Sequence, residues 1–166
     1  MTERREVAHV LRRLTFGPTA AEVDAAVRDG LPATVDRVLA PAAPVVFPSL
    51  PDDKSGQQEA IMWWVAQMAA HGGTAAEKLT FFWHGHWATS VQKVRSAALM
   101  LTQQKTFRTY GSGPTGPLVR AMLRDPALIV CALAPIANDQ EIQLVRRCAG
   151  WEVTRRGKQA EHSQAA

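Results

Sequence analysis

The amino-acid sequence predicts an all-α fold, an irregular multi-helix domain with a proline-rich connecting loop. Apolar residues recur at helical spacing in at least five segments, the first of them formed by Val7, Val10, Leu11 and Leu14. The sequence contains no alternating apolar and polar pattern long enough for a useful strand. Residues that start and stop helices flank several of the apolar segments, so the predicted helices can be placed in order.

The first three helices are predicted from the residues at their ends. Gly17-Pro18 ends the first apolar segment, because proline has no N–H with which to continue a helix. Thr19 and Glu22 form a Thr-x-x-Glu capping box, in which each side chain satisfies a free backbone N–H of the second helix. Gly30 is a suitable stop for that helix, and Pro32 opens a third, short one.

Residues 40–56 predict an extended connection. Prolines at positions 41, 44, 48 and 51 deny this segment regular backbone hydrogen bonding. Helical spacing then resumes and predicts a fourth helix that stops at Gly72-Gly73. The apolar residues that carry this spacing are Ile61, Trp64, Val65 and Met68.

The later elements are predicted to be helices separated by one loop. Residues 94–105 are rich in good helix formers and contain neither glycine nor proline. Residues 111–117 are a loop by composition. Two short helices should follow, over residues 118–124 and Pro126–Leu133.

Length and composition limit the class of protein. A chain of 166 residues that is 46% hydrophobic can bury one sizeable core, so a single domain is expected. No apolar run reaches the roughly 20 residues that a helix needs to cross a bilayer, so no transmembrane segment is predicted. The first residues lack the apolar core of a secretory signal, which makes a cytoplasmic location the default expectation.

The net charge and the two cysteines do not indicate a particular function. The net charge of +4 and the pI of about 9.5 invite a nucleic-acid-binding hypothesis. The basic residues are scattered over the polar sides of the apolar segments, so a solvated basic surface is favoured over nucleic-acid binding. Cys131 and Cys148 lack metal-type spacing and are interpreted as free thiols or small apolar side chains.

Residues 77–90 form the most unusual segment of the chain. Two histidines, two tryptophans and two phenylalanines surround Gly85. If the segment is helical, His84 and His86 point about 200° apart and cannot bind one metal ion. A shared metal site would require the helix to end or bend near Gly85, and it would require a third ligand from elsewhere.

His84 and His86 are the candidate catalytic residues. Imidazole ionises near neutral pH, which suits general acid–base chemistry, metal binding and ligand recognition. The alternative is structural, with the imidazoles hydrogen-bonded to the backbone or to Thr80 and Ser90. The residues specify no particular metal or cofactor.

Trp83, Trp87 and Glu77 are the candidate ligand-binding residues. The two tryptophans lie four residues apart, which also fits a pair that faces the core or lines a groove. Glu77 follows Thr74 at the spacing of a second capping box, so its alternative role is that of a helix cap.

Several segments resemble the bacterial family catalogued as domain of unknown function 1800. The first runs from His9 to Thr19 and reads His-Val-Leu-Arg-Arg-Leu-Thr-Phe-Gly-Pro-Thr, and the most specific is residues 77–90. Shorter matches lie at Lys93-Val94, residues 100–104, Arg108 and Asp125-Pro126-Ala127. The resemblance covers roughly residues 7–130 and implies a mostly helical bacterial protein without a settled biochemical activity.

The sequence departs from the family pattern after the Asp-Pro-Ala turn. Family members usually continue for several hundred residues and carry an Asn-Glu-Asn segment there, which this chain lacks. We therefore interpret the chain as a truncated member of the family. Residues 1–133 are expected to form the N-terminal helical part of the family's fold, and residues 134–166 a divergent, poorly ordered polar tail.

Two functional hypotheses follow. The first is a helical binding or assembly module without activity of its own, because apolar and tryptophan-rich faces outnumber catalytic groups; its expected interaction is self-association through exposed apolar faces. The alternative is part of a metal- or histidine-dependent hydrolase site that a missing C-terminal half would complete. The sequence lacks a phosphate-binding glycine loop, a His-Glu-x-x-His zinc motif and a Gly-x-Ser-x-Gly elbow.

Overall fold

The computed structural model of the chain describes residues 3–41, 44–134 and 140. Helices account for 74% of it and no strand occurs within the described ranges, which confirms the all-α prediction. None of the helices in these ranges is long and apolar enough to span a membrane. The described part of the chain forms nine helices: α1 Glu3–Leu14, α2 Ala20–Asp29, α3 Leu31–Leu39, α4 Lys54–His71, α5 Ala75–Trp87, α6 Val91–Val94, α7 Ala97–Tyr110, α8 Thr115–Met122 and α9 Pro126–Leu133.

The predicted division at residue 133 stays a prediction. Apart from Ala134 and Gln140, the tail proposed for residues 134–166 lies outside the described residues.

Helices α1, α2 and α3 pack together around one apolar cluster. Val7 and Leu11 of α1 contact this cluster with Val23 of α2 and Val38 of α3, and all four side chains are buried. Helix α5 joins the group because Lys78 donates from Nζ to the carbonyl oxygens of Arg12 and Thr15, at 2.8 and 2.6 Å. The C-terminal end of α1 is thereby capped by a cation, which the helix dipole favours.

The capping box predicted for Thr19 and Glu22 is present. The Glu22 backbone N–H donates to Thr19 Oγ1 at 3.3 Å, and the Thr19 backbone N–H donates to Glu22 Oε2 at 2.6 Å. These hydrogen bonds hold the carboxylate in its ionised form and lower the pKa of Glu22.

Replacement of Thr19 by alanine should lower the free energy of unfolding by about 1 kcal/mol, the usual cost of losing an N-cap side chain. Thr74→Ala is the control, because Thr74 is also an N-cap residue but its hydroxyl donates to the carbonyl of His71 and accepts no hydrogen bond from the helix backbone, so a smaller loss is expected. Urea unfolding of both variants measures the difference. Equal losses from the two substitutions would contradict the assigned role of Thr19.

The proline-rich connection is irregular in its described residues as far as Asp53, and it packs across α4 and α7. The prediction is wrong for residues 54–56, which form the first turn of α4. Phe47 and Leu50 contact the cluster formed by Ala60, Ala97 and Leu101. Two residues of the connection are hydrogen-bonded to the two helices. The Asp52 carboxylate accepts from Ser96 Oγ and the Ala98 backbone N–H, and the carbonyl of Val46 accepts from the indole of Trp63.

The helix predicted over residues 94–105 begins later than predicted, at Ala97. Arg95 adopts a left-handed conformation with φ 52°, which ends α6, and Ser96 then caps α7 by accepting from the Leu99 backbone N–H. Helix α7 continues to Tyr110, beyond the predicted end. Ser96 is a suitable N-cap residue and could have indicated this start. The prediction missed it because no glycine or proline interrupts residues 94–105.

Helix α4 buries only part of its apolar surface. Its fully buried positions are Gly56 and Ala60, whereas Ile61 and Val65, which carry the predicted helical spacing, are 45% and 47% exposed. The reason is that α4 is apolar on nearly every side from residue 61 to residue 70, so its sequence does not specify which side faces α7.

Candidate functional site

Helix α5 carries the aromatic and histidine-rich segment and is regular throughout. It runs through Gly85 without a bend and ends after Trp87, where Ala88 is left-handed with φ 49°. His84 lies on the inner side of this helix, with its ring 4.5 Å from that of Trp64. His86 lies on the exposed side and stacks on Phe82 with ring centroids 5.9 Å apart.

The two histidines therefore do not converge. A shared metal site would require the helix to end or bend near Gly85, but helical residues continue through Gly85 to Trp87. Among the described residues, no group of three His, Cys, Asp or Glu side chains is arranged to hold a metal ion.

His84 is the histidine that contacts the interior. Its Nδ1 is buried and has no hydrogen-bond partner, and the Thr80 hydroxyl donates to the carbonyl of Ala76. Burial lowers the pKa of His84, so its imidazole is neutral at pH 7. A neutral imidazole presents one N–H donor and one acceptor nitrogen.

Glu77 is not a capping-box residue, contrary to the alternative drawn from its spacing to Thr74. The Thr74 hydroxyl donates to the carbonyl of His71, and Glu77 turns inward, where it is 1% exposed. Its two carboxylate oxygens accept from Nε and Nη2 of Arg108, both at 2.8 Å. This is a buried bidentate ion pair between α5 and α7.

Arg108 also orients a side chain one turn earlier on α7. Its Nη1 donates to the carbonyl oxygen and to Oε1 of Gln104, at 3.3 and 2.9 Å. The guanidinium lies over the rings of Trp63 and Phe47, at 5.5 and 5.9 Å from their centroids. Arg108 is thus fixed by hydrogen bonds and by two aromatic rings. It orients the side-chain amide of Gln104 so that Oε1 faces the guanidinium.

Trp83 and Trp87 face a different part of the core. Both pack against the buried side chains of Phe107, Leu118 and Met122. The Trp83 indole donates to the carbonyl of Gly111 at 2.8 Å. Their position agrees with the core-facing alternative, and neither tryptophan lines the cavity described next.

A cavity of about 80 Å³ lies where α4, α5 and α7 meet, close to α6. Three polar side chains line it, from His84, Thr89 and Gln104. Its apolar wall is formed by Ala60, Ile61, Trp64, Val91, Met100 and Leu101. Ile61 is half exposed, so the cavity reaches the surface beside this residue.

A buried polar network continues from the cavity wall towards α9. Gln103 donates from Nε2 to Thr89 Oγ1 at 3.1 Å and to Asp125 Oδ1 at 2.7 Å. Asp125 also caps α9 by accepting from the Leu128 backbone N–H. Burial raises the pKa of Asp125, against the opposing effect of these hydrogen bonds.

Sequence reasoning missed Gln104 as a site residue and recognised Arg108 only as part of a family pattern. The two lie four residues apart on α7, the spacing at which side chains of one helix meet. That spacing was the available signal. It did not indicate which carboxylate would pair with the arginine, because Glu77 is 31 residues away.

The fold and the site together define an all-α protein with a buried polar network beside a small cavity. A family model described as "Protein of unknown function (DUF1800)" matches residues 9–131, more than half of the chain. The chain belongs to this family. Comparison with curated proteins and with solved structures gave no significant match.

Proposed function

We propose that the protein is a helical assembly module that pairs with a second copy of itself through the exposed side of α4. The observation that carries this proposal is the exposure of Ile61, Met62 and Val65, at 45%, 61% and 47%. Monomeric proteins seldom expose a contiguous apolar surface of this kind unless it binds something.

The apolar surface extends from α4 onto α5. Phe81 is 51% exposed and its ring lies 6.1 Å from that of Trp64 and 5.8 Å from that of Phe16. Phe81 thus connects Phe16 of the loop after α1 with Trp64 of α4. We call the exposed apolar side chains of this region the α4 face: Phe16, Ile61, Met62, Val65 and Phe81.

The absence of charged side chains from residues 61–70 of α4 supports a second copy as the occupant. Residues 61–70 contain no Asp, Glu, Lys or Arg, although the whole chain has a net charge of +4. A two-fold symmetric contact brings the same surface of both copies together, and like charges there would repel. The uncharged part of the helix avoids that cost, and its ten residues give a contact about 15 Å long.

Sedimentation velocity of the full chain over a range of concentrations tests this proposal. We expect the wild-type chain to dimerise, and Met62→Lys combined with Val65→Lys to weaken the dimer at least about tenfold, or about 1.4 kcal/mol. Leu123→Lys is the control, because Leu123 is 67% exposed after α8 and lies outside the α4 face. A wild-type chain that stays monomeric, or a control that weakens the dimer equally, would contradict the proposal.

A further inference from the structure

The cavity between α4, α5 and α7 is lined by buried polar groups whose hydrogen-bond partners the fold does not supply. Three of its lining residues carry a buried polar atom without a hydrogen-bond partner: Trp64 Nε1, His84 Nδ1 and Gln104 Nε2. They come from three different helices, and Gln104 is only 3% exposed. Buried polar groups in folded proteins are almost always hydrogen-bonded, so three unpartnered atoms around one cavity point to a bound molecule.

The orientation of these groups indicates what the molecule must offer. An indole Nε1 can only donate, and the Gln104 Nε2 is a donor because Oε1 of the same amide already accepts from Arg108. The neutral imidazole of His84 can accept through Nδ1. The site therefore presents two donors and one group that can act as an acceptor.

The charge around the cavity excludes an anionic ligand on physical grounds. No lining residue is cationic, and the nearby guanidinium of Arg108 is already paired in bidentate fashion with Glu77. A carboxylate transferred into this apolar wall would lose its hydration without gaining a countercharge. A neutral carbonyl group avoids that penalty and uses the same donors.

We propose that this cavity binds the carboxamide group of a small neutral molecule, whose carbonyl oxygen accepts from Trp64 and Gln104 and whose N–H donates to His84. The cavity has room for about three heavy atoms, the size of a carboxamide group, since a cavity of about 150 Å³ holds the six carbons of benzene. Any longer substituent leaves the cavity beside Ile61. The Glu77–Arg108 pair acts as a positioning element, because it fixes the orientation of the Gln104 amide.

Titration of the ¹⁵N-labelled full chain with isobutyramide, followed by NMR, tests the proposal. We expect the indole N–H of Trp64 and the side-chain amide of Gln104 to shift and to saturate at millimolar concentration, the range for so small a ligand. Isobutyrate, the anion of the same shape, should leave both signals in place. Signals unmoved by the amide, as when the cavity holds only water, or an equal response to isobutyrate, would overturn the proposal.

Two adjacent tryptophans provide a matched pair of variants. Trp64→Phe removes one donor and should weaken isobutyramide binding about tenfold, the usual effect of losing a buried hydrogen bond. Trp63→Phe should change it less than about twofold, because the Trp63 indole donates to Val46 and does not line the cavity. Equal effects of the two variants would overturn the assignment. Gln104→Met, which removes the second donor at similar volume, repeats the test if Trp64→Phe does not fold.

The cavity opens beside Ile61, which also belongs to the α4 face, so the titration is repeated on the chain carrying Met62→Lys and Val65→Lys, in which the mouth stays open. The NMR signals report on the cavity and sedimentation reports on the mass of the particle, so either idea can fail while the other stands.

Discussion

Replacement of Glu77 by glutamine should lower the free energy of unfolding by about 3–5 kcal/mol, the cost of removing one partner from a buried ion pair. The substitution keeps the shape of the side chain and removes its charge. It leaves the guanidinium of Arg108 buried, with its side chain 8% exposed, and without a compensating anion. Urea unfolding at neutral pH measures the loss.

An exposed ion pair elsewhere in the chain supplies the control. Arg4 and Asp24 also form a salt bridge, but their side chains are 54% and 50% exposed. Asp24→Asn makes the same chemical change as Glu77→Gln and should cost less than about 1 kcal/mol, because water screens the pair. A loss below about 1 kcal/mol for Glu77→Gln would contradict the importance of burial for this pair.

A double substitution separates the ion pair from simple packing. Glu77→Met together with Arg108→Met removes both charges and leaves apolar side chains of similar volume. We expect this variant to be more stable than Glu77→Gln, because it leaves no uncompensated charge in the interior.

Replacement of Gly56 by alanine should lower the free energy of unfolding by about 2–3 kcal/mol or prevent folding. A Cβ at this position would lie 1.8 Å from the carbonyl oxygen of Pro51, a distance that non-bonded atoms cannot adopt. The proline-rich connection packs directly on the first turn of α4 here, so relief of the clash would displace that segment. Thermal unfolding followed by circular dichroism measures the effect.

Gly85→Ala is the matched control and should have the opposite sign. Gly85 lies in α5, its side is exposed, and a Cβ there would meet nothing within 4 Å. Alanine is favoured over glycine inside a helix, so a gain of about 0.5–1 kcal/mol is expected. A loss of stability at Gly85 would show that the position has a role other than helix geometry.

The helices and several of their ends could be predicted from the sequence because these signals act locally. The Thr19–Glu22 capping box and the regular helix Pro126–Leu133 depend only on residues within one or two turns. The same letters at Thr74 and Glu77 predicted a second box, and that prediction is wrong. Arg108 offers Glu77 a bidentate partner, which no local rule contains.

The sequence by itself determined that the chain is all-α, where most of its helices lie, and that His84 and His86 point to different sides of one helix. Only the tertiary structure decided that His84 faces a cavity and that the α4 face remains exposed. The physical reason is that helix propensity and capping depend on residues close together in the sequence. Whether a side chain is buried depends on how α4, α5 and α7 pack against one another, and these helices are far apart in the sequence. A helical segment as uniformly apolar as residues 61–70 of α4 carries no pattern that selects its buried side.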